Sequence, residues 1–181
     1  MEKKKRHVYI AMKHCMISLL LLLLLPTLQS SKPNLLATYK NKVDSITVSK
    51  RLKIMRLYAG KKWVASYSIS IGQNSKGHKQ YQGDNRTPEG KYYITDRNPN
   101  SSYFLNLHIS YPNNQDRARA KRLGKPPGGD IKIHGYADQN GRTKPMDVKF
   151  AYTWGCIAVN NNDMKEIYQL VKTGAVILIR P

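Results

Sequence analysis

From residue 44 onward, apolar and polar side chains alternate in short runs separated by glycine, proline and asparagine. Residues 45–48 and 52–58 keep a period of two, the pattern of half-buried strands. Ala59, Gly60, Lys61 and Lys62 predict a hairpin turn into a returning strand over 63–71. Further strands are predicted over 91–95, 103–109, 130–134 and 175–179, with a short apolar segment over 154–159. Two stretches switch to helical spacing. Residues 116–123 are a basic helix candidate stopped by Gly124. Residues 164–172 put Ile167, Leu170 and Val171 on one face, with Asn162 or Asp163 as the cap and Gly174 as the end. Two polar loops interrupt the pattern, over 73–90 and 135–149. The first is bordered or punctuated by Gly72, Gly77, Gly83, Pro88 and Gly90, and a loop of that length in a compact domain is usually functional or disordered. The predicted fold class is mainly β, with two short helices.

The first thirty residues follow another rule. Lys3, Lys4, Lys5, Arg6 and Lys13 precede an apolar run, 16–25, that contains seven consecutive leucines and closes at Pro26. Such a run is short for a spanning helix, which needs about 20 residues. A basic start, a short apolar stretch and then Gln29, Ser30 and Ser31 form the pattern of an export signal. The cleavage site is poorly marked, so a short membrane anchor is the alternative. The predicted organisation is a signal or anchor over 1–30, a linker over 31–43 and one domain over 44–181.

Charge narrows the surroundings. The chain of 181 residues carries 31 basic and 11 acidic side chains, a net charge of +20. The leader holds five basic residues and one acid, which leaves +16 for the remainder. Nucleic acid is the usual partner for such a charge. For an exported protein, anionic wall polymers or acidic lipids fit better than nucleic acid, and a merely soluble basic surface is the plain alternative. The candidate helix with Arg117, Arg119, Lys121 and Arg122 has the same two readings.

The chain has two cysteines, Cys15 and Cys156, and Cys15 lies before the apolar run. Cys156 is then alone in an exported domain, where cysteines normally pair. It is either a buried apolar filler or a thiol kept for chemistry. A cysteine nucleophile needs a base or a positive partner, because a free thiol has a pKa of about 8.5. His78, His108 and His134 are available. His134 is the strongest candidate, since it ends a short apolar strand and precedes Gly135. Gly155 permits close backbone approach beside Cys156, where amides could line an oxyanion hole. A hydrogen-bonded strand-end histidine and a core cysteine are the alternatives. One cysteine with scattered histidines gives no metal-ligand spacing, so no metal is expected. Papain-like enzymes place cysteine before histidine, the reverse of the order here.

Ile133-His134-Gly135, followed by Thr153-Trp154-Gly155-Cys156-Ile157-Ala158-Val159, resembles the signature of the L,D-transpeptidase catalytic domain, the YkuD family. The segment Gly83-Asp84-Asn85-Arg86-Thr87-Pro88-Glu89-Gly90-Lys91-Tyr92 is similar to a second motif of that family, and Tyr111-Pro112-Asn113 and Pro127-Gly128-Gly129-Asp130 also fit. The resemblance covers nearly the whole of 44–181. It implies packed mixed β-sheets, sandwich- or barrel-like. It implies Cys156 as nucleophile and His134 as proton acceptor and donor. Gly155 and the Cys156 amide would lie near the oxyanion, with Thr153 and Gly135 as motif positions. The implied partner is a peptidoglycan stem peptide, cleaved between an L-centred diamino acid and a terminal D-alanine. The acyl group would pass to an amine of another stem. No cofactor is implied, and the implied location is the periplasm or cell wall.

Trp154 departs from the family's commonest form, which has histidine there. That leaves two other enzymatic outcomes, a peptidoglycan L,D-hydrolase or an amidase releasing wall-linked lipoprotein. A catalytically inactive wall-binding module is the reading that rests on charge alone. Trp154 either faces the substrate or fills core, and its size favours core. His78, in the glycine-rich loop, either touches substrate or is an ordinary solvated histidine. Asp84, Arg86 and Glu89 are expected to hold that loop together.

Overall fold

The computed structural model describes residues 34–136 and 151–181. The predicted signal, the start of the linker and residues 137–149 of the second loop lie outside them.

Eight strands form in chain order: β1 Val43–Ser49, β2 Ile54–Ala59, β3 Lys62–Ser68, β4 Gly90–Ser101, β5 Phe104–Ile109, β6 Lys132–His134, β7 Ile157–Ala158 and β8 Val171–Arg180. Three helices accompany them: α1 Leu35–Tyr39, α2 Asn114–Arg122 and α3 Asn161–Leu170. The strand order across the sheet is β3-β2-β1-β8-β4-β5-β6-β7. Pairing is antiparallel except for β1 with β8 and β6 with β7. The mainly β fold with mixed pairing is therefore present.

The long strand β4 makes the fold. Its first residues pair with β8, while the residues from Ile94 onward pair with β5, with a register shift between Ile94 and Asp96. A bulge bends its strand, so β4 carries the sheet round a corner. The two ends then meet. Residues just beyond β3 bridge to the far edge, Ser70 to Ala158 and Gly72 to Thr153. The sheet curls until its first and last strands touch, which buries one face along its length. Val43, Ile46, Val48, Met55, Leu57, Ile133, Ile157, Ile177 and Ile179 fill the interior. Helix α3 contributes Met164, Ile167 and Leu170 at helical spacing and packs on β5 and β8.

Three local differences from the sequence pattern have physical causes. The cap of α3 is Asn160, whose side chain accepts from the Asp163 amide. That helix stops at Leu170, because Val171 already pairs with Val43 in β8. Gly174 therefore sits inside β8, at φ +84°, within the register shift against β1. A glycine at a bulge and a glycine at a helix end look alike in sequence. The segment expected as a linker carries α1, whose Leu35, Leu36 and Tyr39 pack against the core.

The glycine-rich loop is ordered by buried charge. Lys50 Nζ, reaching from the turn after β1, donates to Gly77 O at 2.6 Å, Thr87 O at 3.1 Å and Glu89 Oε1 at 2.8 Å. Lys79 pairs with Asp84 at 2.8 Å, both side chains buried. Asp84 also accepts from the amides of Gln80 at 2.6 Å and Arg86 at 3.1 Å. Burial alone raises the Asp84 carboxyl, but the Gln80 amide, the Lys79 ammonium and the Arg86 amide outweigh it and hold it below its ordinary 3.8. Asp84 and Glu89 thus brace the loop as expected.

Removing one member of a buried pair leaves the other charge uncompensated. Lys79→Ala should lower unfolding free energy by about 3 kcal/mol in urea denaturation. Because the Asp84 carboxyl is depressed in the fold, its contribution is complete above pH 3.8 and lost as pH falls through the lower folded value. The difference between wild type and Lys79→Ala should therefore shrink below that pH.

Candidate active site

Strand β6 ends on His134, and β7 begins one residue after Cys156. Their parallel register sets Ile133 opposite Ile157 and His134 opposite Ala158. Side chains two apart along a strand share a face. Continuing the alternation of β7 back by one residue puts Cys156 on the face of Ala158, and hence of His134. The sequence separation of the two residues is closed by strand pairing.

The histidine is fixed by its backbone. His134 is buried, at 8% exposure, and its Nδ1 lies 2.5 Å from Gly135 O. A carbonyl only accepts, so Nδ1 carries the hydrogen and Nε2 keeps its lone pair. Burial pushes the imidazole below its ordinary 6.5, and the Lys132 charge adds to this against the Gly135 carbonyl. The thiol moves the other way. Burial pushes Cys156 above its ordinary value, further than the Lys132 amide and the Lys132 and Lys79 charges pull it down. Sγ donates to Asp130 O at 3.6 Å. At neutral pH the thiol and the imidazole therefore both rest uncharged. A thiolate there forms when a base removes the proton, the demand that an uncharged Nε2 can meet.

The turn before Cys156 is tied by one hydroxyl. Thr153 Oγ1 donates to Cys156 O at 2.7 Å and accepts from Gly155 N at 3.1 Å. The Gly155 amide is thus engaged inside the turn, which leaves the Cys156 amide as the motif's candidate oxyanion donor. Gly155 itself adopts φ +135°, and a Cβ there would stand 2.8 Å from Arg86 O. Gly135 is equally confined, since a Cβ would stand 2.4 Å from Asn161 Oδ1. That oxygen already accepts from the Tyr136 amide at 2.8 Å.

Trp154 corrects the sequence reading. It is 84% exposed, not core. The neighbouring positions Ala151 and Ile157 are buried, while the Thr153–Cys156 turn leaves the indole in solvent. His78 stands elsewhere. Its Nδ1 accepts from Glu89 N at 3.0 Å and its Nε2 lies 2.9 Å from Asp116 Oδ1. It lines a groove of about 490 Å³ with Lys91, Asn113, Asp116 and Arg119, which contains neither Cys156 nor His134. His78 thus ties the loop to α2 and is not a solvated histidine.

Two neighbours of His134 have no motif to announce them. The Tyr103 ring lies 4.9 Å from the imidazole, tilted by 49°. Asn106 is the register partner of His134 across β5 and β6. A buried asparagine between Leu105 and Leu107 is the one sequence signal that marks it.

Gly155 and Gly60 both have positive φ, but nothing lies within 4 Å of a Cβ at Gly60. Alanine at residue 60 should cost about 1 kcal/mol for backbone strain. Alanine at residue 155 adds a backbone clash and should cost about 3 kcal/mol or more. Thermal denaturation of Gly60→Ala and Gly155→Ala checks the difference.

Comparison with known proteins identifies the family. The family model YkuD, described as L,D-transpeptidase catalytic domain, matches residues 44–179. A protein of Escherichia coli (strain K12) named "Putative L,D-transpeptidase YafK" is 34% identical over 119 residues, 64% of this chain and 40% of its own length. The helical cell shape determining protein Pgp2 of Campylobacter jejuni superposes with a TM-score of 0.57 at 29% identity, covering 81% of this chain and 54% of that one. Bd1075 of Bdellovibrio bacteriovorus shares the fold, with a TM-score of 0.55 at 24% identity over 78% of this chain and 48% of its own. The chain thus spans about half, or less, of the length of these relatives. It belongs to the YkuD family of L,D-transpeptidase catalytic domains.

Proposed function

We propose that this chain is a cell-wall L,D-transpeptidase with Cys156 as its nucleophile and His134 as its base. The carrying observation is the shared face of His134 and Cys156 across the β6–β7 pair, with the imidazole hydrogen held on Nδ1 by Gly135 O.

The chemistry follows from those atoms. Nε2 takes the Sγ proton as sulfur attacks the carbonyl carbon between the diamino acid and the terminal D-alanine. The Cys156 amide faces the oxyanion, a contact that strengthens as charge develops. The C–N bond breaks, and the imidazolium returns its proton to the leaving amine of D-alanine. A thioester remains on Sγ. An amine of a second stem attacks the thioester carbon and gives its proton to Nε2, the C–S bond breaks, the imidazolium returns the proton to Sγ, and the 3→3 cross-linked peptide leaves. Thr153 keeps the turn closed, and Gly135 and Gly155 allow the backbone approaches around it.

Trp154 favours a second reading of the last step. An exposed indole two residues before Cys156 replaces the family's commonest histidine, and it offers a contact surface for substrate. Water in place of the amine makes the protein a peptidoglycan L,D-hydrolase or an amidase that frees wall-linked lipoprotein. In either case the proposed setting is the periplasm or cell wall, with residues 1–30 as signal or anchor. The basic surface would then meet anionic envelope polymers. A wall-binding module without activity has the charge alone in its support.

Purified protein with disaccharide-tetrapeptide, and with isolated sacculi, tests this. Cross-linked dimers support transfer to an amine, and tripeptide with free D-alanine supports hydrolysis. Neither product, or the same products from Cys156→Ala, contradicts the nucleophile assignment. Because burial pushes the His134 imidazole below its ordinary 6.5, the acid limb of kcat/KM should have its midpoint below pH 6.5, as the base is protonated. Trp154→Ala should change stability by less than about 0.5 kcal/mol. It should raise KM several-fold if the indole binds substrate, and an unchanged KM removes it from the site.

A further inference from the structure

Asn106 is a buried polar residue in an apolar strand, 2% exposed, and its Oδ1 has no hydrogen-bond partner among the described residues. Buried amides are nearly always bonded, so an orphan calls for an explanation. Its location supplies one. Gly135 N donates to Leu105 O at 3.2 Å and Ile109 N donates to Ile131 O at 3.1 Å. Antiparallel bonds recur at alternate positions, so the bonded pairs are 105 with 135, 107 with 133 and 109 with 131. Asn106 and His134 are therefore a non-bonded pair, in which opposite side chains share a face and stand closest, with Cβ atoms about 5 Å apart.

We infer that Asn106 is a positioning residue whose buried amide oxygen stabilises the imidazolium formed when His134 takes the Cys156 proton. This rests on the proposed function for its catalytic meaning, though not for the coupling of the two side chains. In the resting site the imidazole is neutral and its only N–H, on Nδ1, is directed to Gly135 O. The Asn106 dipole then gains nothing. When the ring gains a second proton, a desolvated carbonyl oxygen beside it lowers the energy of the charge. An interaction that is stronger in the charged state than in the ground state accelerates the step. The orphan oxygen is a cost in the resting fold that is recovered at the moment of proton transfer.

The other groups around the imidazole do not take this role. Lys132, on the same strand, is positive and opposes protonation, while its own partner is the Asp130 carboxylate at 2.7 Å. Asp130 also stands 3.6 Å from His108. Tyr103 presents its ring, the Cys156 thiol is the proton's source, and from α3 the Asn161 amide is bonded to Tyr136.

The test is a titration of the His134 imidazole by NMR in the full chain, without substrate, beside a pH profile of turnover. Asn106→Leu keeps the volume and removes the dipole. It should lower the His134 pKa, move the acid limb of kcat/KM to lower pH, and reduce kcat about tenfold with KM unchanged. Asn106→Asp places a carboxylate beside the ring and should raise the His134 pKa by about one unit or more. If the leucine variant fails to fold, the aspartate variant carries the test. A His134 pKa unmoved in every folded variant overturns the inference and leaves Asn106 a core residue. A shifted pKa in a protein that forms no product from stem peptides keeps the coupling and removes the proposed function instead.

Discussion

The site depends on how closely three stretches of backbone approach one another. The segment 85–87 runs between Gly72 and Gly155 with no room for a side chain at either glycine. A Cβ at residue 72 would stand 2.3 Å from Asn85 O, and one at residue 155 would stand 2.8 Å from Arg86 O. Hydrogen bonds close the layer, from Gly72 N to Thr87 Oγ1 at 2.8 Å and from Thr153 N to Ile71 O at 3.0 Å. The turn that carries Cys156 is thus held against the glycine-rich loop, and the loop in turn is held by Lys50, Lys79 and Asp84. Placement of the thiol is a consequence of packing far outside the Cys–His pair.

That packing also sets the electrostatics. Burial disfavours charge on both partners, so the thiol is pushed up and the imidazole down. An ion pair at rest is disfavoured on both sides. In the proposed mechanism the charge appears only as the proton moves, which suits a site whose dipoles are fixed in advance: Gly135 O on Nδ1 and, as inferred above, the amide of Asn106, the register partner of His134. Basic residues dominate the rest of the chain, but near the pair the Lys132 ammonium is directed to Asp130 at 2.7 Å.

Much of this was legible in the sequence, for identifiable reasons. Period-two alternation located β1 and β2, because one face of each strand is buried, and the hairpin turn at 59–62 located β3. Chain order and glycine neighbours singled out His134 and Cys156, and the motif around them is specific. The register that gives them one face was not legible, since it comes from pairing between distant segments. Trp154 was misjudged because size usually implies burial, whereas the tied turn at Thr153 leaves the indole in solvent. His78 was weighed as a substrate contact or a solvated side chain, and its partners are Glu89, at the far end of the same loop, and Asp116, on α2. Asn106 carries no motif at all, and only the β5–β6 register brings it to His134.

In the proposed mechanism the sulfur of Cys156 becomes acylated by a stem peptide. Intact-protein mass spectrometry after brief mixing with disaccharide-tetrapeptide reads this directly. The expected result is a mass increase equal to the donor minus D-alanine, mapped to Cys156 and absent from Cys156→Ala. Turnover that leaves Cys156 unmodified at every time, or an adduct that persists in Cys156→Ala, would contradict it.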